Sequence, residues 1–334
     1  MLKKILFLIL LIFVSLAGYF ASIKHLNSLT IDFSEPIYTV KSGASVQGLC
    51  REWVKLGQLS SSDCLLLKLY TKLKPQLASL QQGSYRVSGD MPLFSLLSLF
   101  RDGKVAQFSL TFIEGQTVEQ AIQRLQFAEY LKLDIQSTDQ VLALINWPKE
   151  WGEKPTSVEG LLFPDTYYYT ANSSASQLIQ RATDALIKQL SVAWQQRDTG
   201  LPLQNPYQLL TLASIVEKES SYLPERRLVS SVFINRLRKN MRLQTDPTVI
   251  YGIKNFNGDL TRKHLRDPHP YNTYRHAGLP PGPISLVSQS ALLASAQPET
   301  TDLYYFVSKG DGSHQFSTTL KQHNAAVQKY IFGN

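Results

Sequence analysis

The sequence predicts an α+β protein with three parts: an N-terminal transmembrane helix, a small αβ subdomain and a larger mixed α+β domain. Three observations carry this. An uncharged run, ILFLILLIFVSLAGYFASI, occupies residues 5–23, long enough to cross a bilayer as a helix. From Tyr38 onward, short strand-like runs are interspersed with amphipathic stretches of helical period. Strands and helices mix without a strict βαβ rhythm, repeats or low-complexity tracts, which is the α+β pattern. The 334 residues are enough for two domains, and 43% hydrophobic content suits a globular chain.

Each part follows from local signals. Lys3 and Lys4 precede the apolar run. The positive-inside rule therefore keeps residues 1–4 in the cytoplasm and sends everything after Lys24 outside, as a single-pass inner (plasma) membrane protein. Ser15-Leu16-Ala17 offers a small-x-small cleavage site as a rival, but the uncharged run continues past it and favours a retained anchor. Residues 24–37 read as a polar connector. A strand over 37–40, a turn at Ser42-Gly43 and a helix from Ala44 follow. SSSDCLLLKLYTKLK carries Ser and Asp caps for a second helix. GSYRVSG reads as a strand and MPLFSLLSLFRDGK as another helix, which completes an αβ unit over 38–107. VAQFSLTFIEG opens the domain at 108–334 with a strand, and QTVEQAIQRLQFA continues as a helix. An aromatic-rich loop reaches Pro164-Asp165, and a long helix spans 174–196. Asn205, Pro206 and Gln208 then form an N-x-x-Q cap with proline at the first helical position. That helix runs to about Ser221, and Pro224 opens the next. A proline-heavy loop, a helix over 286–296, strands LYYFVS and HQFS around Gly310-Asp311-Gly312, and a terminal helix complete the chain.

The formal charge of +8 fits nucleic acid, an anionic membrane surface or an acidic polymer. No RNP, zinc-finger or helix-turn-helix signature is present, so nucleic acid is not the expected partner. Cys50 and Cys64, the only cysteines, can pair in an exported chain or pack as two buried thiols. His264, His269, His276, His314 and His323 lack metal-ligand spacing. No metal and no cofactor is expected.

The chemistry concentrates in VEKESSYLPE. Glu217 and Glu219 lie two residues apart, so on a helix they face different sides. Laid on a wheel, both flank an apolar face centred on Leu209, Ala213 and Val216, and the wheel does not choose between them. Glu219 stacks over Leu212, Ile215 and Val216, larger aliphatic groups that desolvate a carboxyl and raise its pKa. It also stands at the helix C-terminus, where the dipole acts the same way. A raised pKa is what a general acid requires. The bland alternative is a surface glutamate near Lys218 and Arg226.

ASIVEKES, VFINRLRKNMRLQTDPTVIYG, YNTY and GLPPGPIS, with EG-x-T at 114–117, EGLLFPDTYYYT at 159–170 and FSTTLKQHN, closely resemble the YceG-like family of membrane-anchored endolytic murein transglycosylases, the MltG type. The resemblance covers nearly the whole chain. It implies a LysM-like subdomain at 38–107 and a catalytic domain at 108–334. It also implies that Glu219 is the single catalytic acid, with Ser220 beside it. The implied substrate is peptidoglycan glycan strand, cut between N-acetylmuramic acid and N-acetylglucosamine to leave a 1,6-anhydro end. Work beside penicillin-binding synthases, ending nascent strands, is implied too. An oxocarbenium-like transition state needs polar and aromatic neighbours, and Ser220, Gln244, Thr245, Asp246, Tyr251, Asn272 and Tyr274 are the substrate-binding candidates, Ser220 either holding the Glu219 carboxyl or satisfying helix-end carbonyls. Asp246-Pro247 reads equally as a helix start. Asn235 and Arg236 either reach the cleft or tie two helices together, and the structural role is favoured. A lysozyme-like hydrolase, with Asp246 or Glu225 as a second carboxylate, and a non-catalytic scaffold are the alternatives.

Overall fold

A computed structural model describes residues 2–254 and 256–333. The chain divides into two compact units: residues 1–108 with 169–172, and residues 109–168 with 173–334.

The first unit opens with α1 (Leu2–Ser28), whose apolar side chains are exposed from Leu2 to Phe20 and whose length and composition suffice to cross a membrane. The helix outruns the apolar window of residues 5–23 at both ends, because backbone bonding continues through Lys24 and His25 where the apolar character stops. β1 (Thr30–Phe33), β2 (Ile37–Val40), α2 (Val46–Lys55), α3 (Ser61–Leu73), β3 (Gly83–Arg86), β4 (Gly89–Pro92) and α4 (Leu93–Arg101) follow. β2 pairs antiparallel with β3, Ile37 opposite Arg86, and β1 pairs antiparallel with β4, Thr30 opposite Pro92. The expected connector at 24–37 is therefore corrected. It holds the end of α1 and a strand whose partner lies some sixty residues on, so no local pattern announces it. α2 starts at Val46 rather than Ala44, because Ser45 Oγ accepts the Gly48 N–H at 3.1 Å and caps the helix there. Trp53, Tyr85, Leu96, Leu97 and Phe100 form the core. Cys50 on α2 and Cys64 on α3 are joined in a disulfide, which settles the alternative between bond and thiols.

The second unit contains β5 (Gln107–Thr111, from Ser109), α5 (Val118–Leu125), α6 (Thr138–Leu144), β6 (Thr166–Thr170, to Tyr168), α7 (Ala175–Gln195), α8 (Pro206–Glu219), α9 (Arg226–Arg238), α10 (Asp246–Gly252), α11 (Arg262–Arg266), α12 (Gln289–Ala296), β7 (Tyr305–Ser308), β8 (His314–Ser317) and α13 (Leu320–Ile331). Its centre is α8, buried at every residue from 209 to 217 and packed by α7, α9 and α12. A helix enclosed this way needs no polar face, which is why the wheel could not rank its two glutamates. β7 and β8 form an antiparallel hairpin, Tyr305 opposite Ser317, against which α13 packs. Gly160 joins two of the sequence motifs. Its φ is +76°, and a Cβ there would stand 2.5 Å from Pro283 of GLPPGPIS, so only glycine allows that approach.

Candidate active site

α8 is anchored at its start by Asn205, whose Oδ1 accepts the Gln208 N–H at 3.0 Å. It ends because Ser220 leaves helical geometry (φ −130°, ψ 111°) while its N–H still bonds the Val216 carbonyl at 3.1 Å. The two glutamates of the last turn then separate completely. Glu217 enters an ion pair with Arg226, Nη2 to Oε1 at 2.6 Å, both side chains buried. Its Oε2 also accepts from the Ser288 backbone N–H at 2.8 Å and from the Ser288 hydroxyl. Fully bonded, this carboxylate ties α8 to α9 and to the cap of α12.

Glu219 instead lines a cavity of about 320 Å³ with Arg236, Leu243, Gln244, Asp246, Tyr274, Tyr305, Phe306, Leu320 and His323. Thr245 Oγ1 donates a hydrogen bond to its Oε1. Burial pushes the Glu219 carboxyl up to about 7 from an ordinary 4.5. The charge of Asp246 adds to the rise, while the Thr245 hydroxyl, His314 and Arg236 oppose it.

The predicted neighbours distribute unevenly. Gln244, Thr245, Asp246 and Tyr274 gather at Glu219. Tyr274 donates its hydroxyl to Asp246 Oδ1 at 2.7 Å. Gln244 adopts φ +49°, and its N–H bonds the Thr273 carbonyl at 3.2 Å. Thr245, not Asp246, holds the N-cap position of α10, without a side-chain capping bond; Asp246 and Pro247 are the helix's first two residues. Ser220 is buried beside Glu219, but its hydroxyl donates to the Tyr222 carbonyl at 3.0 Å and shapes the turn. Asn272 is buried in its loop, donating to the carbonyls of His264, Leu265 and Asp267 and accepting the Tyr274 N–H at 2.9 Å. Tyr251 faces a second, larger cavity of about 910 Å³, together with Glu159, Tyr271, Phe256, His269 and Lys218. There its hydroxyl donates to Glu159 Oε2 at 3.3 Å, and burial pushes Glu159 up to about 7.

Sequence reasoning overlooked the cavity's far wall. Tyr305 and Phe306 come from β7, Leu320 and His323 from α13. The only local signal was FSTTLKQHN, quoted as a motif without a role for its histidine. Arg236 does tie elements together, donating to the carbonyls of Tyr304 and Leu243 at 2.7 Å each; it lines the cavity as well. Asn235 bonds the carbonyls of Thr301 and Leu303. Glu225 is held by His314, Nδ1 to Oε2 at 2.8 Å. His264 and His269 accept backbone N–H groups through Nδ1, and His276 Nε2 meets the Pro268 carbonyl.

The sequence model of the YceG-like family matches residues 38–329. A protein named endolytic murein transglycosylase from Bacillus subtilis (strain 168) is 32% identical over 308 residues, 87% of this chain and 84% of that protein. One of the same name from Streptococcus pneumoniae (strain R6) is 28% identical over an alignment of 359 positions that covers 97% of this chain and 64% of the pneumococcal protein. The 2.6 Å crystal structure of a YceG-like protein from Listeria monocytogenes matches with a TM-score of 0.54 at 29% identity, covering 87% of this chain and 99% of that one. This chain belongs to the YceG-like family.

Proposed function

We propose that this chain is an endolytic murein transglycosylase: it cleaves the bond between N-acetylmuramic acid and N-acetylglucosamine inside peptidoglycan glycan strands and leaves a 1,6-anhydro end. The observation that carries the reading is Glu219, a carboxyl with its pKa raised to about 7, set in a polar and aromatic cavity at the end of a helix buried from Leu209 to Glu217. Its neighbour Glu217 is already committed to Arg226, which leaves Glu219 as the acid of that turn.

Glu219 begins protonated and donates to the glycosidic oxygen as the C1–O bond breaks. The positive charge that develops at C1 is offset by the forming Glu219 carboxylate and by Asp246. Glu219 then takes the proton of the muramic acid C6 hydroxyl, whose oxygen bonds to C1 within the same sugar. The acid is regenerated and no water is consumed. Intramolecular attack supplies through proximity what a second carboxylate supplies in a hydrolase. Thr245 orients the carboxyl and favours its ionised form, as the second half of the turnover requires.

α1 supports a single-pass anchor over residues 5–23 with residues 1–4 cytoplasmic, and so an enzyme held where new strands emerge from membrane synthases. The order β2-α2-α3-β3, with its outer strands paired, supports a LysM-like, glycan-binding role for 38–107 ahead of a catalytic domain at 108–334.

Mass analysis of a murein digest tests the reading. Anhydro ends are about 18 mass units lighter than the reducing ends hydrolysis makes, the mass of one water. Reducing ends instead would assign a hydrolase with Asp246, already in the cavity, as second carboxylate. Binding without any cleavage would assign a scaffold.

A further inference from the structure

Three elements of the second unit meet on one ring at the wall of the Glu219 cavity. Tyr305 of β7 stacks on His323 of α13, ring centroids 5.3 Å apart and planes 24° apart. The guanidinium carbon of Arg236, from α9, lies 5.2 Å from the centroid of the same ring. All three side chains line the cavity.

The hydrogen bonds of Arg236 and His323 leave two donors over. Arg236 is only 8% exposed. Its Nε and Nη1 are engaged by the carbonyls of Tyr304, Arg242 and Leu243. Among the described residues, nothing accepts from its Nη2. Neither ring nitrogen of His323 has a partner among them; Nδ1 is sealed from solvent while Nε2 is not. Burial, and then the nearby Arg236 charge, lower the His323 pKa and hold the ring neutral. A sealed N–H without an acceptor costs the full desolvation of a donor, so the proton belongs on Nε2, the accessible nitrogen. Arg236 Nη2 and His323 Nε2–H are thus two donors without acceptors, on residues that line the same cavity as Glu219.

We propose that Arg236 Nη2 and His323 Nε2–H form a donor pair that receives a carbonyl oxygen carried by the sugar bound at Glu219. This rests on the reading of murein as substrate. Murein offers that chemistry from two sources, the 2-acetamido group and the lactyl amide that bears the stem peptide. The pair acts on binding and orientation and makes His323 a specificity-determining residue. Arg236 fixes the Gln244 loop as well, through Leu243, so His323 is the residue to vary.

Affinity of the full chain, in detergent and in a Glu219→Gln background, is measured by calorimetry against soluble, uncross-linked murein oligomers. Because binding is read without cleavage, the outcome does not depend on whether the wild type proves to be a lytic enzyme or a hydrolase. His323→Phe is expected to weaken binding about ten-fold, the size of one hydrogen bond, and His323→Gln, which restores a donor, to recover most of it. Parallel titrations use oligomers that are de-N-acetylated or stripped of peptide. The penalty of His323→Phe should fall below about two-fold on the oligomer that lacks the recognised acetamido carbonyl. If the lactyl group is recognised instead, the stripped oligomer, now a lactyl carboxylate beside Arg236, should bind the parent more tightly and in a salt-dependent way. A His323→Phe affinity within about two-fold of the parent on intact oligomers overturns the proposal. So does a loss that stays the same on both modified oligomers while the parent binds the stripped oligomer no more tightly than the intact one, which would mark His323 as packing.

Discussion

Replacing Glu219 with glutamine should make the protein more stable at alkaline pH while it abolishes cleavage. Burial raises the carboxyl from an ordinary 4.5 to about 7. Between those values the native state holds a proton that the unfolded chain has lost, so wild-type stability falls as pH climbs through the window. The gap is worth about 3 kcal/mol at about 1.4 kcal/mol for each tenfold change. The substituted amide keeps an oxygen for the Thr245 hydroxyl and has no proton to lose. The stability difference between variant and wild type should therefore widen by up to about 3 kcal/mol from pH 4.5 to pH 8 and stay level above it. Glu159, also raised to about 7, titrates in the same window in both proteins and cancels. Denaturant unfolding of both proteins across pH 4 to 8 reads the difference directly. Parallel curves at all pH values would show that Glu219 ionises like an exposed glutamate, and a carboxylate already ionised at neutral pH has no proton to give.

Two substitutions beside the acid should move the alkaline limb of kcat/KM in opposite directions. Thr245→Val removes the donor that favours the carboxylate and should shift the limb to higher pH; Asp246→Asn removes the neighbouring negative charge and should shift it lower. Limbs that move together, or not at all, would remove Glu219 as the titrating group. Glu217→Gln strands the buried Arg226 charge and should cost about 3–5 kcal/mol, read as a fall of roughly 10 °C in the Tm of the second unit. A fall of under about 2 °C would deny Glu217 its anchoring role.

The two glutamates also show what a sequence discloses and what it withholds. The helix that carries them was legible down to its cap, because Asn205, Pro206 and Gln208 are local signals. Which carboxyl is free was not, because the partners that occupy Glu217, Arg226 and Ser288, lie nine and seventy-one residues further along the chain. Resemblance, not periodicity, singled out Glu219. Gln244, Thr245 and Asp246 are consecutive, and Tyr274, 28 residues beyond Asp246, joins them at the cavity. Asn272, equally prominent as text, spends its amide on its own loop, and Tyr251 turns from the same short helix toward a different cavity. β1 escaped notice for the reason His323 did: its meaning resides in a distant partner.

The bond between Cys50 and Cys64 has a consequence for how the chain matures. Each molecule must surrender two electrons to an external acceptor before its first unit is complete. Material made in a thiol-rich cytosol would therefore emerge unstapled between α2 and α3, with the helix that bears Glu219 chemically unaltered.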